Sequence, residues 1–164
     1  NQPAAAEANY QMFWAALRPL LSDDPEALAR LDQIREGFSD TMGAALDAMW
    51  SSKLGLRCYD AELVDELLEL MVFSRLDYTM FFRRLSAIPE QVSSLKDSFY
   101  LPSSEELDRR WQCWLQRWRA DLGSAGDPSV TAEALKRLNP RFTWREWLIA
   151  PAYQQAEQIG RAHV

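Results

Sequence analysis

"PSSEELDRRWQCWLQRWRADLG", Pro102 to Gly123, repeats its apolar residues at intervals of three and four. Leu107, Trp111, Trp114, Leu115, Trp118 and Leu122 therefore fall on one face of a helix. Ser103 and Glu106 stand in the S-x-x-E relation of a capping box, and Gly123 is an end signal. So many indoles on one stripe need a partner surface of matching size. The stretch predicts a helix whose tryptophan face is core, and hence helix-on-helix packing.

The pattern extends outward from there. A first helix is expected from Ala4 to about Arg18, ending near Pro19. "SDDPEAL" then reads as a start, with Asp24 as N-cap, Pro25 at N1 and Glu26 in the first turn. Leu28, Leu31, Ile34, Phe38, Met42, Leu46 and Met49 continue as one long helix, or as two joined near Gly37 or Gly43. "KLGL" closes it, with Lys53 in the last turn and Gly55 suited to a left-handed C′ position. Asp60 caps a helix over Ala61–Ser74, with Leu63, Leu67, Leu70 and Met71 inside and Glu62, Asp65, Glu66 and Glu69 outside. Asp77 caps a shorter helix holding Tyr78, Phe81, Phe82 and Leu85. Ile88 to Leu101 is less regular.

Beyond Gly123, "GSAGDPS" (Gly123–Ser129) reads as the most flexible linker, with Asp127 and Pro128 opening a helix that Asn139-Pro140 stops. Thr143 and Glu146 form a second capping box, flanked by Phe142 and Trp147 as a hydrophobic staple. The last helix is expected from Trp144 to about Ile159, kinked or split at Pro151. No alternation of period two appears. The expected class is all-α: a bundle-like layer of six to seven helices without a sheet, forming a single domain over residues 1–164.

Bulk composition agrees. The 164 residues are 48% hydrophobic and 12% aromatic, with seven Trp, so a folded chain has a core to bury. A net charge of −6 argues against nucleic acid or an anionic membrane as the main partner. The longest apolar run, Leu63–Phe73, contains Asp65, Glu66 and Glu69, so no membrane span is expected. The only histidine is His163, which leaves a zinc site without ligands. Cys58 and Cys113 allow one disulfide, but their helical, apolar contexts favour a reduced, buried pair. A cytoplasmic location is the expectation. The chain begins at Asn1 rather than Met, as expected of a processed piece.

Three constellations bear on chemistry. Glu62, Asp65, Glu66 and Glu69 would suit a hard cation, but they read first as a solvated face. The tryptophan stripe with Arg109, Arg110, Arg117 and Arg119 would suit stacked bases, yet its spacing reads as core packing with arginines outward. Tyr78 and Thr79 have only Asp77 nearby as a base, and Asp77 is better used as a cap. "GSAG" lacks the Gly-Lys-Ser/Thr ending of a phosphate loop. No catalytic, cofactor-binding or metal residue is assigned.

Stretches that fall in a fixed order carry a resemblance: "KLGL" (Lys53–Leu56), "LVDELLELM" (Leu63–Met71), "DYTMFFRRLS" (Asp77–Ser86), "RRWQCWLQRW" (Arg109–Trp118) and "LNPRFTWREWL" (Leu138–Leu148). The chain resembles the C-terminal part of the selenoprotein O family, from about Phe38 to Gly160. That resemblance implies a kinase-like parent that acts as a protein adenylyltransferase, moving AMP from ATP with magnesium to Ser, Thr or Tyr hydroxyls. The family's phosphate loop, Lys–Glu pair and Asn/Asp metal ligands lie upstream of the matched region, so none maps onto a residue here. Many members follow Asn-Pro with Arg-Asn-Tyr where this chain has Arg145-Glu146-Trp147, and Pro151 is a further departure. The family's redox-active cysteine or selenocysteine near the C-terminus is matched by neither Cys58 nor Cys113. The implied role is support: a helical layer packed on the kinase-like lobe, inert alone, with self-association expected of an isolated piece. A free-standing helical module that binds a partner helix or peptide is the alternative.

Overall fold

The computed structural model describes residues 2–123 and 128–161. All regular elements among them are helical, and the one β-contact is an isolated bridge between Leu76 and Phe99. The all-α class is as the sequence indicates. The linker expected over Gly123–Ser129, and Asp127 with it, falls mainly on residues 124–127, outside the described residues. The chain divides into two compact units, residues 1–51 and 52–164.

The first unit holds α1 (Gln2–Leu17), a 3-10 turn (Arg18–Leu21), α2 (Pro25–Glu36) and most of α3 (Phe38–Leu54). The Asp24 side chain accepts from the Ala27 N–H at 3.0 Å, as an N-cap should, with Pro25 behind it. The long apolar stripe breaks at Gly37, not Gly43: α2 ends there, and the Gly37 carbonyl already accepts from the Thr41 N–H of α3. Trp14 links α1 to α2. Its indole N–H donates to Asp32 at 2.8 Å, Arg18 pairs with the same carboxylate, and Arg35 lies over the ring at 4.7 Å. Tyr10 stacks on Phe38. No described residue of this unit is fully buried.

The second unit contains the core. It is built from α4 (Ala61–Ser74), α5 (Tyr78–Leu85), two 3-10 turns (Val92–Ser94 and Lys96–Ser98), α6 (Glu105–Gly123), α7 (Pro128–Leu138) and α8 (Glu146–Arg161). α4 turns Leu63, Val64, Leu67, Leu70 and Ser74 inward. Met71, expected inside, is only half-buried, because the buried stripe follows residues 63, 67, 70 and 74. α6 turns in Trp111, Trp114, Leu115, Trp118 and Leu122. Each such side chain removed from water stabilises the fold by roughly 1.5–3 kcal/mol.

The three buried indoles all donate. Trp111 Nε1 reaches Ser74 Oγ at 2.7 Å, Trp114 Nε1 the Leu63 carbonyl at 2.9 Å, and Trp118 Nε1 the Leu54 carbonyl at 2.8 Å. The partners descend in sequence as the tryptophans ascend, so α6 runs antiparallel to α4. The Leu54 carbonyl ends α3 and would otherwise lack a helical partner. Phe81 and Phe99 pack on Trp111, and Trp114 stacks on Trp118.

Gly55 follows with φ +73°, the left-handed turn anticipated for "KLGL". A Cβ there would stand 3.1 Å from Leu122 Cδ2 and 3.2 Å from Leu135 Cδ2. Two caps differ from expectation. α6 is capped by Ser104, whose Oγ accepts from the Leu107 N–H, while Ser103 Oγ instead donates to Asp108. α8 starts at Glu146, and the Arg145 carbonyl accepts its first helical bond from Ile149. Thr143 thus stands ahead of the cap position, and Phe142 and Trp147 are exposed rather than stapled. Pro151 lies within α8 without splitting it.

Replacing Trp118 by Phe keeps most of the ring but strands the Leu54 carbonyl. We expect a loss of about 1–3 kcal/mol, read as a lower urea midpoint. An unchanged midpoint would mean that the indole bond does not hold the end of α3.

Candidate functional site

Two buried polar nodes gather the motif residues. The first is Asn139, of "LNPRFTW". Its backbone N–H caps α7 on the Leu135 carbonyl. Its Nδ2 donates to the Lys53 carbonyl and to Ser86 Oγ, each at 3.2 Å, and its Oδ1 accepts from Lys53 Nζ at 2.9 Å. Arg83 donates to the Lys136 carbonyl at 3.0 Å and to the Asn139 carbonyl at 3.3 Å. Lys53 Nζ also lies 4.2 Å from the Phe82 ring centre and 4.9 Å from that of Tyr78. Burial pushes the Lys53 pKa below its ordinary value. The end of α3, α5 and α7 thus meet on one amide.

The second node is Asp77, at the start of α5. One oxygen accepts from the Met80 N–H at 2.9 Å, closing the expected N-cap. Arg145 approaches both oxygens, at 2.9 and 2.7 Å, and Tyr100 donates its hydroxyl at 3.1 Å. The Asp77 N–H donates to the Ser98 carbonyl at 2.7 Å. Burial works to raise this carboxyl's pKa. The Met80 N–H, Arg145 and Tyr100 outweigh it and hold the pKa below its ordinary 3.8.

Several of the remaining candidates are held in structural contacts. Of the acidic face on α4, Glu66 pairs with Arg117 and Glu69 with Arg110, each at 2.9 Å, while Glu62 and Asp65 are exposed. Half of the face expected to be solvated is thus a cross-helix ion-pair ladder. On α6, Arg109 pairs with Glu106, and Arg119 donates to the Ile88 and Pro89 carbonyls and pairs with Glu90. Those arginines are therefore not arrayed beside an open aromatic platform. Ile88 sits at φ +52°, uncommon for a β-branched residue, and its carbonyl is held by Arg119. Cys58 and Cys113 are free but exposed, not buried. Cys113 follows Gln112 onto the outer side of α6, and Cys58 lies in the connection before α4.

Among the described residues, no three His, Cys, Asp or Glu side chains converge as a metal site would require. Asp77, Glu66 and Glu69 are each turned to an arginine. The bonds of both nodes join helix ends to one another. Among the described residues, no helix is long and apolar enough to cross a membrane.

Sequence reading missed Asn139 as a node and Arg145 as the partner of Asp77, since each contact closes over more than 50 residues of chain. Asn-Pro read only as a helix stop.

Asn139→Ala removes both amide bonds and leaves Lys53 Nζ half-buried without its acceptor. Destabilisation of about 2–3 kcal/mol is expected by denaturant titration, and a loss under 0.5 kcal/mol would deny the node its role. For Asp77 the pKa is depressed on folding. Its contribution is therefore complete above pH 3.8 and lost as pH falls below that value through the folded pKa. The Asp77→Asn variant is expected to be less stable at neutral pH, with its deficit shrinking on acidification. A deficit independent of pH would contradict this.

The sequence model of the family described as "Protein adenylyltransferase SelO" matches residues 1–161. Similar proteins include a "Protein nucleotidyltransferase YdiU" of Xanthomonas campestris pv. campestris strain B100. It is 36% identical over 170 residues, covering 96% of this chain and 31% of that protein. The protein of the same name from Methylorubrum populi is 34% identical, covering 87% and 30%. That of Thioalkalivibrio sulfidiphilus is 33% identical, covering 96% and 32%. The chain spans about a third of the length of the curated relatives it matches. On this match, which takes in every described residue, the chain belongs to the protein adenylyltransferase SelO family.

Proposed function

We propose that this chain is the helical support region of a protein adenylyltransferase. The whole polypeptide moves AMP from ATP, with magnesium, to Ser, Thr or Tyr hydroxyls of other proteins. Its kinase-like lobe and nucleotide site lie outside these 164 residues, and the chain alone is inert. The observation that carries this reading is that the family motifs end in structural bonds. Lys53, Asp77, Arg83, Ser86, Asn139 and Arg145 hold helix ends to one another. A transferase works largely by positioning a polyphosphate and neutralising its charge. Carboxylates already turned to arginine have little to offer a metal ion. A rigid base under the lobe that does this work is a role such bonds suit.

The cell location we propose is cytoplasmic. Neither nucleic acid nor a membrane is a proposed partner.

Transfer of labelled AMP from ATP with magnesium tests the reading, run on this chain and on the full-length polypeptide in parallel. Label is expected with the full-length protein only. Incorporation by this chain alone would overturn its assignment as support. Absence of transfer by the full-length protein, across a panel of protein acceptors and itself, would overturn the activity.

A further inference from the structure

Within the six residues Phe142 to Trp147, three large aromatic side chains face solvent. Phe142 is 81% exposed, Trp144 87% and Trp147 71%. A single exposed aromatic needs no account, but three so close together form an unusual surface. Nor is the backbone beneath them unsupported. Asn139 is buried on its Lys53 and Ser86 contacts just before the segment. Arg145, in its middle, is held on Asp77. Arg141 lies against the Phe142 ring. The core thus fixes both the entry and the centre of a segment whose aromatic side chains stay largely exposed.

Aromatic side chains held in place ahead of contact are what the anchors of interfaces are made of. They bring large apolar area and lose little conformational entropy on binding. We infer that Phe142, Trp144 and Trp147 form a docking ridge, and that its occupant is the part of the same polypeptide lying outside residues 1–164. This rests on the reading above that the chain belongs to a longer protein. The relatives supply the argument for the occupant. This chain corresponds to 30–32% of their length, which leaves about two thirds of such a polypeptide to cover the ridge. A tethered segment meets the ridge at a high effective concentration, whereas a second copy or a separate partner bears the full entropic cost of association.

The test uses the full-length protein. Hydroxyl-radical footprinting should modify Trp144 and Trp147 as slowly as the buried Trp114 and Trp118. Photo-reactive benzoylphenylalanine in place of Phe142 should cross-link, at monomer mass, to a peptide outside residues 1–164. Fast modification of both tryptophans would overturn the inference. So would a cross-link between two copies, or one confined to residues 1–164. Labelled-AMP transfer by the same preparation separates the two readings. Active protein with an exposed ridge sinks the docking surface alone. Inactive protein with a covered ridge sinks the activity and leaves the docking intact.

Discussion

The second unit depends on a requirement of the indole ring: a buried N–H must find an acceptor. α6 buries three tryptophans within eight residues, Trp111 to Trp118, and each one finds its acceptor on α4 or at the end of α3. An unmatched buried donor would cost about 1–3 kcal/mol, so the three bonds together restrict how α6 can slide or rotate against α4. Apolar packing alone tolerates such shifts. The bonds to Ser74, Leu63 and Leu54 also explain why the "KLGL" turn has to come where it does. Trp118 holds the last carbonyl of α3, and Gly55 must then reverse the chain at φ +73° beside Leu122 and Leu135, which a side chain would press upon.

Charge follows the same geometry. Once α6 is antiparallel to α4, Arg110 and Arg117 stand over Glu69 and Glu66. Two features that suggest chemistry in isolation, a carboxylate stripe and a row of arginines beside tryptophans, answer each other. Their exposed positions make these pairs weak, worth well under about 1 kcal/mol each. Their effect lies in orientation and in removing free carboxylates. The Asp77–Arg145 pair differs because Asp77 is buried and also caps α5, so several bonds fail together if the carboxylate is lost.

Local rules made much of this legible in the sequence. Asp24, Asp60 and Asp77 each cap the helix expected of them, and the left-handed Gly55 turn was readable from its own tetrapeptide. The tryptophan face was readable from spacing alone. Caps failed where two serines or a longer-range bond competed. Ser104 rather than Ser103 caps α6, and Arg145, drawn to Asp77, takes the cap position of α8 two residues beyond Thr143. Cysteine burial failed because a helical context does not say which face a residue takes: Cys113 lies just beside the buried stripe and points outward. The nodes at Asn139 and Asp77 were not readable, since their bonds join residues 53 to 86 positions apart for Asn139 and 68 for Arg145. No periodicity records a contact of that kind.

The two nodes also give the support role proposed above a physical basis. Asn139 and Asp77 each accept or donate several bonds from segments far apart along the chain. Buried polar networks of this kind add less to net stability than apolar packing of the same volume does, because their partners give up water to form them. What they supply is a single geometry, since an arrangement that leaves one member unpaired is heavily penalised. Phosphoryl and nucleotidyl transfer depend on positions held to fractions of an ångström. In the support role proposed above, a base that admits one arrangement of the end of α3, α5, α7 and the start of α8 transmits that restriction to whatever rests on it.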